Sequence, residues 1–403
     1  MIQRYEIGTI ILTFFSYSRK AFIVCFYSSN HLAKKVIVSV INDLVTDQRV
    51  AKVCQSLTNM GFEILLVGRK LKNSLPLDNR PYKTHRMRLL FTKGPLFYIE
   101  FNKRLFFLLL FRKADLLVSN DLDTLLPNFI VSKMRGIPMV YDSHEYFTEV
   151  PELVNRKRVQ KIWKSIERRI FPKLKQVITV NDSIADLYEK EYSIRPKVVR
   201  NIPFLNKSTV TKSRQELGLP TDKFILILQG SGINIDRGTE EMVEAMQYIH
   251  KAVLLIVGGG DVIGIIKRKA DELSIYDKVI FKPKQLYQDL MQYTANADIG
   301  LTLDKDTNLN YRFSLPNKLF DYIHAGIPVM ASPLPELKKI IDQYNIGDFI
   351  PSHDPKQIAQ KVNEIIENKE IMAIWKKNIK FAIQDLSWET EEHILKQVYG
   401  KYV

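Results

Sequence analysis

The sequence predicts an α/β protein with two facing domains, each built on a doubly wound parallel sheet, and a cleft between them. The chain has 403 residues, which is more than one hydrophobic core normally organises. Apolar, strand-like segments alternate with helical ones through both halves of the sequence. Several of the strand-like segments end in glycine or polar residues, as expected where parallel strands form the binding edge of a sheet.

The composition is that of a globular protein, with 46% hydrophobic and 26% charged residues. The 59 lysines and arginines exceed the 44 acidic residues, which gives a formal net charge of +15. This excess favours anionic partners such as nucleotide diphosphates, acidic lipid surfaces or nucleic acid. Cys25 and Cys54 have neither metal spacing nor a disulfide framework, so a reducing cytoplasm is expected.

Residues 1–34 form an apolar extension before the first predicted domain. The run from Ile7 to Tyr27 carries Arg19 and Lys20 near its middle, which would be costly at bilayer depth, and no small-residue cleavage site follows. We therefore expect an extension outside the core, either an upstream start or a segment lying on a membrane, rather than a transmembrane anchor.

The first domain is predicted over residues 35–204. It begins with a buried strand over 35–43, a helix from about residue 47 to 60 and a second strand. A later apolar strand runs into Asp142, Ser143 and His144, which places His144 at the sheet edge facing the cleft, where it can donate to a hydroxyl or carbonyl. The alternative is a structural or merely exposed histidine.

Two helical segments of this domain allow two interpretations each. Residues 95–112 are very apolar but include Lys103, Arg104 and Arg112, which fits either a core-packing helix or a membrane-docking surface. Residues 156–175 form a basic amphipathic stretch, which fits either a solvated face or contact with a membrane or acceptor.

After a linker over 205–220, the second domain is predicted over 221–385. Its first strand leads into a turn in which Gly230 and Gly232 let the backbone approach a ligand. Arg237 then stands just before the helix that follows this turn, where an anion is favoured. A glycine-rich turn is by itself weak evidence for phosphate binding.

The segment SLPNKLFDYIHAGIP, which starts at Ser314, predicts a phosphate site. Ser314 can cap a helix, Pro316 suits an early helical position, and Lys318 lies where unpaired backbone amides favour an anion. Asp321 lies one turn further on, within reach of a sugar hydroxyl. Gly326 then ends the helix. The alternative is an ordinary capped helix before a strand.

Four segments in this order resemble glycosyltransferase family 4, the retaining nucleotide-sugar enzymes of GT-B architecture: YDSHE at 141–145, RNIP at 200–203, DRG at 236–238 and LPNKLFDYIHAGIP at 315–328. The resemblance covers nearly everything from residue 35 to the end. It implies two Rossmann-like domains, with the acceptor on the first and the donor nucleotide on the second. It also implies that a C-terminal helix within residues 386–403 crosses back onto the first domain.

By the same resemblance, His144 contacts the donor sugar and Asp321 binds the nucleotide ribose. Lys318 and Arg237 hold the diphosphate and, together with His144, form the predicted catalytic set. The other predicted donor-binding residues are Gly230, Gly232, Ser314 and Asn317.

Two positions depart from the family pattern. Phe313 stands where the first acid of a Glu-x7-Glu element is expected, so backbone amides after it, or Asp304 or Asp306, must replace that contact. Ser231 stands where an arginine is expected, so one cation fewer faces the diphosphate.

The resemblance implies a retaining transfer of a sugar from a nucleotide-diphosphate donor to a glycan or lipid-linked acceptor, in cell-surface polysaccharide assembly. We expect no metal or other cofactor, no nucleic-acid partner, and a cytoplasmic protein, either free or peripheral on the inner face of an anionic membrane. The alternatives are an epimerase or phosphorylase of the same architecture, and a non-catalytic relative that binds glycans or membranes.

Overall fold

The structure is a computed structural model, and it describes residues 33–45, 47–74, 76–205 and 211–403. The apolar extension up to residue 32, with Cys25, and residues 206–210 of the linker lie outside the described part. Among the helices of the described ranges, none combines the length and hydropathy that a bilayer crossing requires.

The first half folds around a parallel sheet of seven strands in the order β3-β2-β1-β4-β5-β6-β7. Except between β2 and β3, helices lie between successive strands, as in a doubly wound fold. Its elements are β1 (Lys35–Asp43), α1 (Gln48–Asn59), β2 (Glu63–Lys70), β3 (Lys83–Arg88), α2 (Gly94–Phe111), β4 (Leu116–Asn120), α3 (Leu122–Arg135), β5 (Met139–Ser143), α4 (Pro151–Val154), α5 (Lys157–Ile170), β6 (Val177–Thr179), α6 (Asp182–Tyr192) and β7 (Lys197–Val198).

The second half folds around a parallel sheet of six strands in the order β10-β9-β8-β11-β12-β13. Its elements are β8 (Phe224–Gly230), α7 (Thr239–Ala245), β9 (Ala252–Gly258), α8 (Ile263–Glu272), β10 (Val279–Lys282), α9 (Tyr287–Ala295), β11 (Ile299–Thr302), α10 (Leu309–Arg312), α11 (Asn317–His324), β12 (Val329–Ala331), α12 (Pro335–Tyr344), β13 (Gly347–Phe349), α13 (Pro355–Glu367) and α14 (Lys369–Asp385). Together the two sheets confirm the predicted fold class of two Rossmann-like domains.

The central strands are buried on both faces, which explains their continuous apolar sequences. All residues of β4 are buried, and so are the interior residues of β8 and β9. In both sheets the strand order reverses between the first strand and the fourth, so the loops after β1 and β4, and after β8 and β11, flank a crevice at the carboxyl edge.

A last helix, α15 (Trp388–Tyr399), packs against α1 of the first half. Trp388 is fully buried and its indole Nε1 donates to Ser56 Oγ at 2.9 Å. Arg200, just after the first sheet, donates to Glu391 of the same helix at 2.6 Å. The C-terminal end of the chain therefore lies against the N-terminal half.

Candidate functional site

Two cations and one carboxylate meet at the carboxyl edge of the second sheet. Arg237 follows β8, Asp304 follows β11, and Lys318 lies in the first turn of α11. Arg237 Nη1 is 3.2 Å from Asp304 Oδ2, and Lys318 Nζ is 3.9 Å from Asp304 Oδ1. The structure thus brings together the two cations that the sequence assigned to one phosphate site.

A glycine and an aromatic ring position the Arg237 guanidinium. Gly238 caps α7 with φ +69°, and a Cβ there would lie 2.3 Å from the Leu303 carbonyl oxygen, so no other residue fits. The Tyr311 ring lies 4.5 Å below the guanidinium carbon, which is a cation–π arrangement. Arg237 is therefore fixed by its backbone, by Tyr311 and by Asp304.

Burial and charge act on the two cations differently. Burial and the nearby Arg237 lower the pKa of Lys318 from its ordinary value, while Asp304 opposes that shift. Burial would also lower the pKa of Arg237, but Asp304 and Tyr311 together outweigh it and raise that pKa. Two positive charges are thus held in a desolvated site, where their interaction with an anion is strong.

Several buried polar atoms at this site have no hydrogen bond of normal geometry within the described residues. They are Arg237 Nε, both carboxylate oxygens of Asp304 and Ser314 Oγ. Buried polar atoms in folded proteins are nearly always hydrogen-bonded. The two atoms of this group that can donate, Arg237 Nε and Ser314 Oγ, are therefore available to a ligand, whereas the Asp304 oxygens face the two cations. The donor set offers a guanidinium, an ammonium and a hydroxyl, which suits a phosphate.

The predicted helix cap at Ser314 is wrong. Helix α11 begins at Asn317, its N-cap is Pro316, and no side chain caps it. If Ser314 were the cap, Leu315 would be the first helical residue, but a residue that precedes a proline is disfavoured in the helical conformation, so the helix begins after Pro316. Ser314 therefore lies outside the helix with a free hydroxyl, which keeps it available for a ligand.

Asn317 and the two glycines of the β8 loop lie at the same edge. Asn317 Oδ1 accepts a hydrogen bond from Asn201 Nδ2 of the first half at 2.8 Å. A Cβ added at Gly230 or Gly232 would meet no atom closer than 3.6 Å, so packing inside the protein does not demand glycine there. Close approach of a ligand at these glycines stays a prediction.

Asp321 lies one turn into α11 and is buried. Its Oδ1 accepts from the Tyr287 hydroxyl at 2.9 Å, and its Oδ2 accepts from Gln229 Nε2 at 3.1 Å. Burial raises the pKa of Asp321 to about 6, against the opposing effects of Tyr287, Lys52 and Gln229. Each oxygen keeps one lone pair, so the carboxylate can still accept from two ligand hydroxyls.

Asp321→Asn should stabilise the fold near neutral pH. Above a pKa of about 6 the wild-type fold holds a buried charge, whereas the unfolded carboxylate ionises near its ordinary value. A shift of roughly two pH units corresponds to about 3 kcal/mol, and the asparagine offsets part of it because its NH2 group cannot accept the hydrogen bond from Gln229. We expect a net gain of about 1–2 kcal/mol at about pH 7.5, which shrinks as pH falls through the folded pKa because protonated Asp321 is already neutral. Urea unfolding at several pH values measures it.

The exposed Asp289 on α9 provides the matched control, and Asp289→Asn should leave the urea midpoint unchanged at every pH. An Asp321→Asn protein that is no more stable than wild type at about pH 7.5 would contradict a buried charge at this position.

His144 lies at the carboxyl end of β5 and is held from three sides. Its Nδ1 is 3.2 Å from Asp121 Oδ2, and its Nε2 is 3.2 Å from Asn120 Oδ1 and 3.6 Å from Asp142 Oδ2. Asp121 also accepts from the His144 backbone amide at 2.8 Å. Asp121 itself has φ +58°, an uncommon conformation for a residue other than glycine, which aims its carboxylate at the histidine.

The electrostatics of this cluster keep the imidazole positively charged. Burial would lower the pKa of His144, but Asp121 and Asp142 outweigh it and raise the pKa to about 9. Burial would raise the pKa of Asp142, but Arg49 and His144 hold it below its ordinary range. His144 is therefore a cation and a hydrogen-bond donor near neutral pH.

A buried ion pair lies behind the histidine. Arg49 on α1 donates to both carboxylate oxygens of Asp142, at 2.7 and 3.3 Å, and to the Val199 carbonyl at 2.6 Å. Arg49 is 3% exposed and Asp142 is fully buried. This pair holds the carboxyl edge of the first sheet, and through Asp142 it holds His144.

Contacts between the halves connect the histidine loop with the cation site. Asn310, next to the Tyr311 that stacks on Arg237, accepts from the Tyr146 amide at 3.1 Å and donates to Glu145 at 3.3 Å. Burial, with Asp121, raises the pKa of Glu145 to about 7 against the effect of Asn310. His144 and the two cations thus belong to one continuous set of contacts.

The structure also shows the surroundings of Phe313 and of the two loop acids expected to replace the missing carboxylate. Phe313 packs against the core of the first half, and its carbonyl accepts from Asn181 at 2.7 Å. Asp306 lies at the surface 3.7 Å from Arg312, so Asp304 is the loop carboxylate that reaches the site.

Sequence reasoning missed the neighbours that orient the predicted residues. These are Tyr311 beneath Arg237, Tyr287 and Gln229 on Asp321, and Arg49, Asn120 and Asp121 around His144. Of these, Asn120 and Asp121 carried a local signal, because both are polar residues at the end of an apolar, strand-like segment.

Two family models match this chain and together cover about four fifths of it. The model described as Glycosyltransferase Family 4 matches residues 47–203, and the model described as Glycosyl transferases group 1 matches residues 209–381. A D-inositol 3-phosphate glycosyltransferase from Saccharomonospora viridis is 22% identical over 252 residues, which cover 58% of this chain. That match covers 57% of the relative's length.

Solved structures share the whole fold. A sucrose-phosphate synthase from Thermosynechococcus elongatus superposes with a TM-score of 0.76 at 18% identity, covering 91% of this chain and 98% of that one. Anabaena HepE in complex with UDP-glucose gives a TM-score of 0.70 at 15% identity, covering 91% of this chain and 100% of that one. With a family model on each half and the same two-domain architecture, the chain belongs to the GT-B glycosyltransferases of the family 4 type.

Proposed function

We propose that the protein transfers a sugar, with retention of configuration, from a nucleoside-diphosphate donor to a glycan or lipid-linked acceptor. The observation that supports this most directly is the convergence of Arg237 and Lys318 on the single buried carboxylate of Asp304. The donor would lie at the edge of the second sheet, with its diphosphate on the two cations and its ribose hydroxyls on Asp321. HepE, a structural neighbour, was solved with UDP-glucose, which fits a donor of this class.

The chemistry proposed for the site is stabilisation of the departing diphosphate. Cleavage of the sugar–phosphate bond leaves negative charge on the leaving oxygen, and fixed cations in a desolvated site lower the energy of that charge without reorganisation. Arg237 and Lys318 would supply those cations. The leaving phosphate would then accept the proton of the acceptor hydroxyl, which attacks from the same face.

His144 would act on the sugar rather than on the phosphate. As an imidazolium held by Asp121 and Asp142, it can donate a hydrogen bond to a sugar hydroxyl from the first half of the protein. Its position on the opposite sheet from the cations means that the donor would contact both halves at once.

Binding to a panel of nucleotides tests the proposal. Nucleoside diphosphates and their sugars should raise the melting temperature, since they bind the folded state only, and one base and one sugar should raise it most. Incubation of that donor with glycan and lipid-linked acceptors, followed by NMR of the product, reports the anomeric configuration. A protein that binds none of these nucleotides, or that yields an inverted product, would contradict the proposal.

Transfer should not depend on a divalent metal, because the proposal assigns charge stabilisation to Arg237 and Lys318. No group of three or more histidine, cysteine or acidic side chains among the described residues has the geometry to hold a metal ion. We expect the initial rate to be unchanged after dialysis against EDTA and unchanged on return of Mg²⁺ or Mn²⁺. A rate that disappears with EDTA and returns with either ion would contradict this part.

We also propose that the first half binds peripherally to an anionic membrane, because one face of helix α2 exposes apolar side chains. Leu96, Ile99, Phe107 and Phe111 are 47–79% exposed and, with Lys103, follow one another at spacings of three or four residues. Such spacing places them on one face of the helix. Apolar side chains interspersed with cations suit the headgroup region of an acidic lipid layer.

Phe107→Asp combined with Phe111→Asp should therefore weaken binding to vesicles that contain phosphatidylglycerol by about tenfold or more. Each change removes apolar area that would be buried in the lipid layer and adds a negative charge that the anionic headgroups repel. Co-sedimentation of the full chain measures the effect. Phe381→Asp, on an equally exposed phenylalanine of α14, is the control and should bind like wild type. Equal binding by all three proteins would remove α2 as the docking surface.

A further inference from the structure

We propose that Asp304 is a positioning residue, the internal counterion that keeps Lys318 protonated and holds it beside Arg237 in readiness for the donor diphosphate. This inference rests on the proposed function, because it concerns the same donor site. It assigns to Asp304 a role in binding that is exerted through Lys318 and not through contact with the sugar.

The geometry of the loop supports this role. Asp304 is fully buried, and each of its two carboxylate oxygens faces a different cation. The backbone amide of the next residue, Lys305, donates to the Asp236 carbonyl at 2.9 Å, which ties the Asp304 loop to the residue before Arg237. The carboxylate therefore joins the two cations, and the neighbouring backbone amide joins the two loops that carry Asp304 and Arg237.

The electrostatics of the buried site require such a counterion. Arg237 and the loss of water both disfavour the charged form of Lys318, and Asp304 is the group that favours it. Tyr311 is the further titratable group that faces Arg237. Without the Asp304 charge, two like charges would remain together in a desolvated place, and the lysine is the one that can lose its proton.

Asp304→Asn removes the charge and keeps the size of the side chain. The pKa of Lys318 should then fall by about one pH unit or more. Below that pKa the variant should bind a diphosphate at least as tightly as wild type, because the internal anion no longer competes. Above that pKa the affinity should fall, so the pH at which diphosphate binding weakens should lie closer to neutral than in wild type.

Asp306→Asn is the matched control. Asp306 lies two residues further along the same loop, is about half exposed and pairs only loosely with Arg312 at 3.7 Å. It should change neither the titration of Lys318 nor the pH dependence of diphosphate binding.

Two measurements on the full chain test the proposal. In the first, proteins with ¹³C at the lysine ε position are titrated by NMR, and the Lys318 signal is assigned by its loss in Lys318→Arg. In the second, calorimetry follows the binding of pyrophosphate and uridine diphosphate between about pH 6 and about pH 9.5. For Asp304→Asn we expect a lower midpoint for the Lys318 titration. We also expect its affinity for the diphosphate to fall roughly tenfold from the lowest to the highest pH of this range, and the wild-type affinity to fall less.

An unchanged Lys318 midpoint in Asp304→Asn would overturn the inference, whether or not diphosphates bind. Absence of diphosphate binding to wild type would instead refute the proposed function, and the NMR titration would still decide the role of Asp304. If Asp304→Asn does not fold, the double variant Asp304→Asn/Lys318→Met decides. Recovery of folding supports charge pairing, and failure to fold assigns Asp304 to packing and overturns the inference.

Discussion

Lys318→Ala should lower the rate of sugar transfer by a factor of about 10²–10³ while the protein remains folded, because one of the two cations that would face the leaving diphosphate is lost. The Lys318 side chain is 11% exposed and its ammonium group lies 3.9 Å from Asp304, so the truncation removes charge from a place that solvent reaches poorly. The loss should appear in kcat as well as in KM, since charge on the leaving group grows in the transition state. Initial rates with the donor found by the nucleotide panel measure both.

Lys251→Ala provides the comparison, because Lys251 belongs to the same half of the protein but is 69% exposed at its side chain. Its rate should equal that of wild type. Circular dichroism and melting curves establish that Lys318→Ala is folded. If the folded Lys318→Ala protein turned over donor at the wild-type rate, Lys318 would have no part in the reaction.

Arg49→Met should destabilise the first half by about 3–5 kcal/mol, because it leaves the fully buried carboxylate of Asp142 without its main partner. The change also removes the hydrogen bond to the Val199 carbonyl. A shift of the urea midpoint, followed by tryptophan fluorescence, measures the effect. Trp388 is a suitable reporter because it is buried against the same helix, α1.

Two further variants separate charge from packing. In Arg49→Met/Asp142→Leu both charges are gone, so most of the lost stability should return. Arg195→Met removes a guanidinium that also has carboxylate partners but lies exposed at the surface, and its urea midpoint should not move. A midpoint for Arg49→Met equal to that of wild type would show that the buried pair adds nothing to the fold.

The individual elements were predictable where the signal is local. The first helix, expected from about residue 47 to 60, spans Gln48–Asn59, and the Asp47 side chain caps it by accepting from the Val50 amide. Such signals depend on residues within one turn of each other. The expectation at Ser314 was also based on a local signal but failed, because Pro316 disfavours a helical conformation at Leu315 and the helix begins at Asn317.

The candidate site was predictable only as separate pieces. A strand end indicated His144 and a glycine turn indicated Arg237, because polar residues after apolar strands lie at the edge of a parallel sheet. A helix start indicated Lys318. Their partners could not be read from the sequence: Arg49 is 93 residues from Asp142, and Gln229 is 92 residues from Asp321. No periodicity connects positions so far apart.

The sequence by itself determined the class of fold, since alternation of apolar strands and helices is a local pattern that hydrophobic burial enforces. It also indicated the residues that we propose for the donor site. The tertiary structure alone decided which charges face each other: Asp304 between Arg237 and Lys318, and Asp142 between Arg49 and His144. Strand order brings these groups together, and burial then sets their pKa values, because attraction and desolvation depend on distance in space and not along the chain.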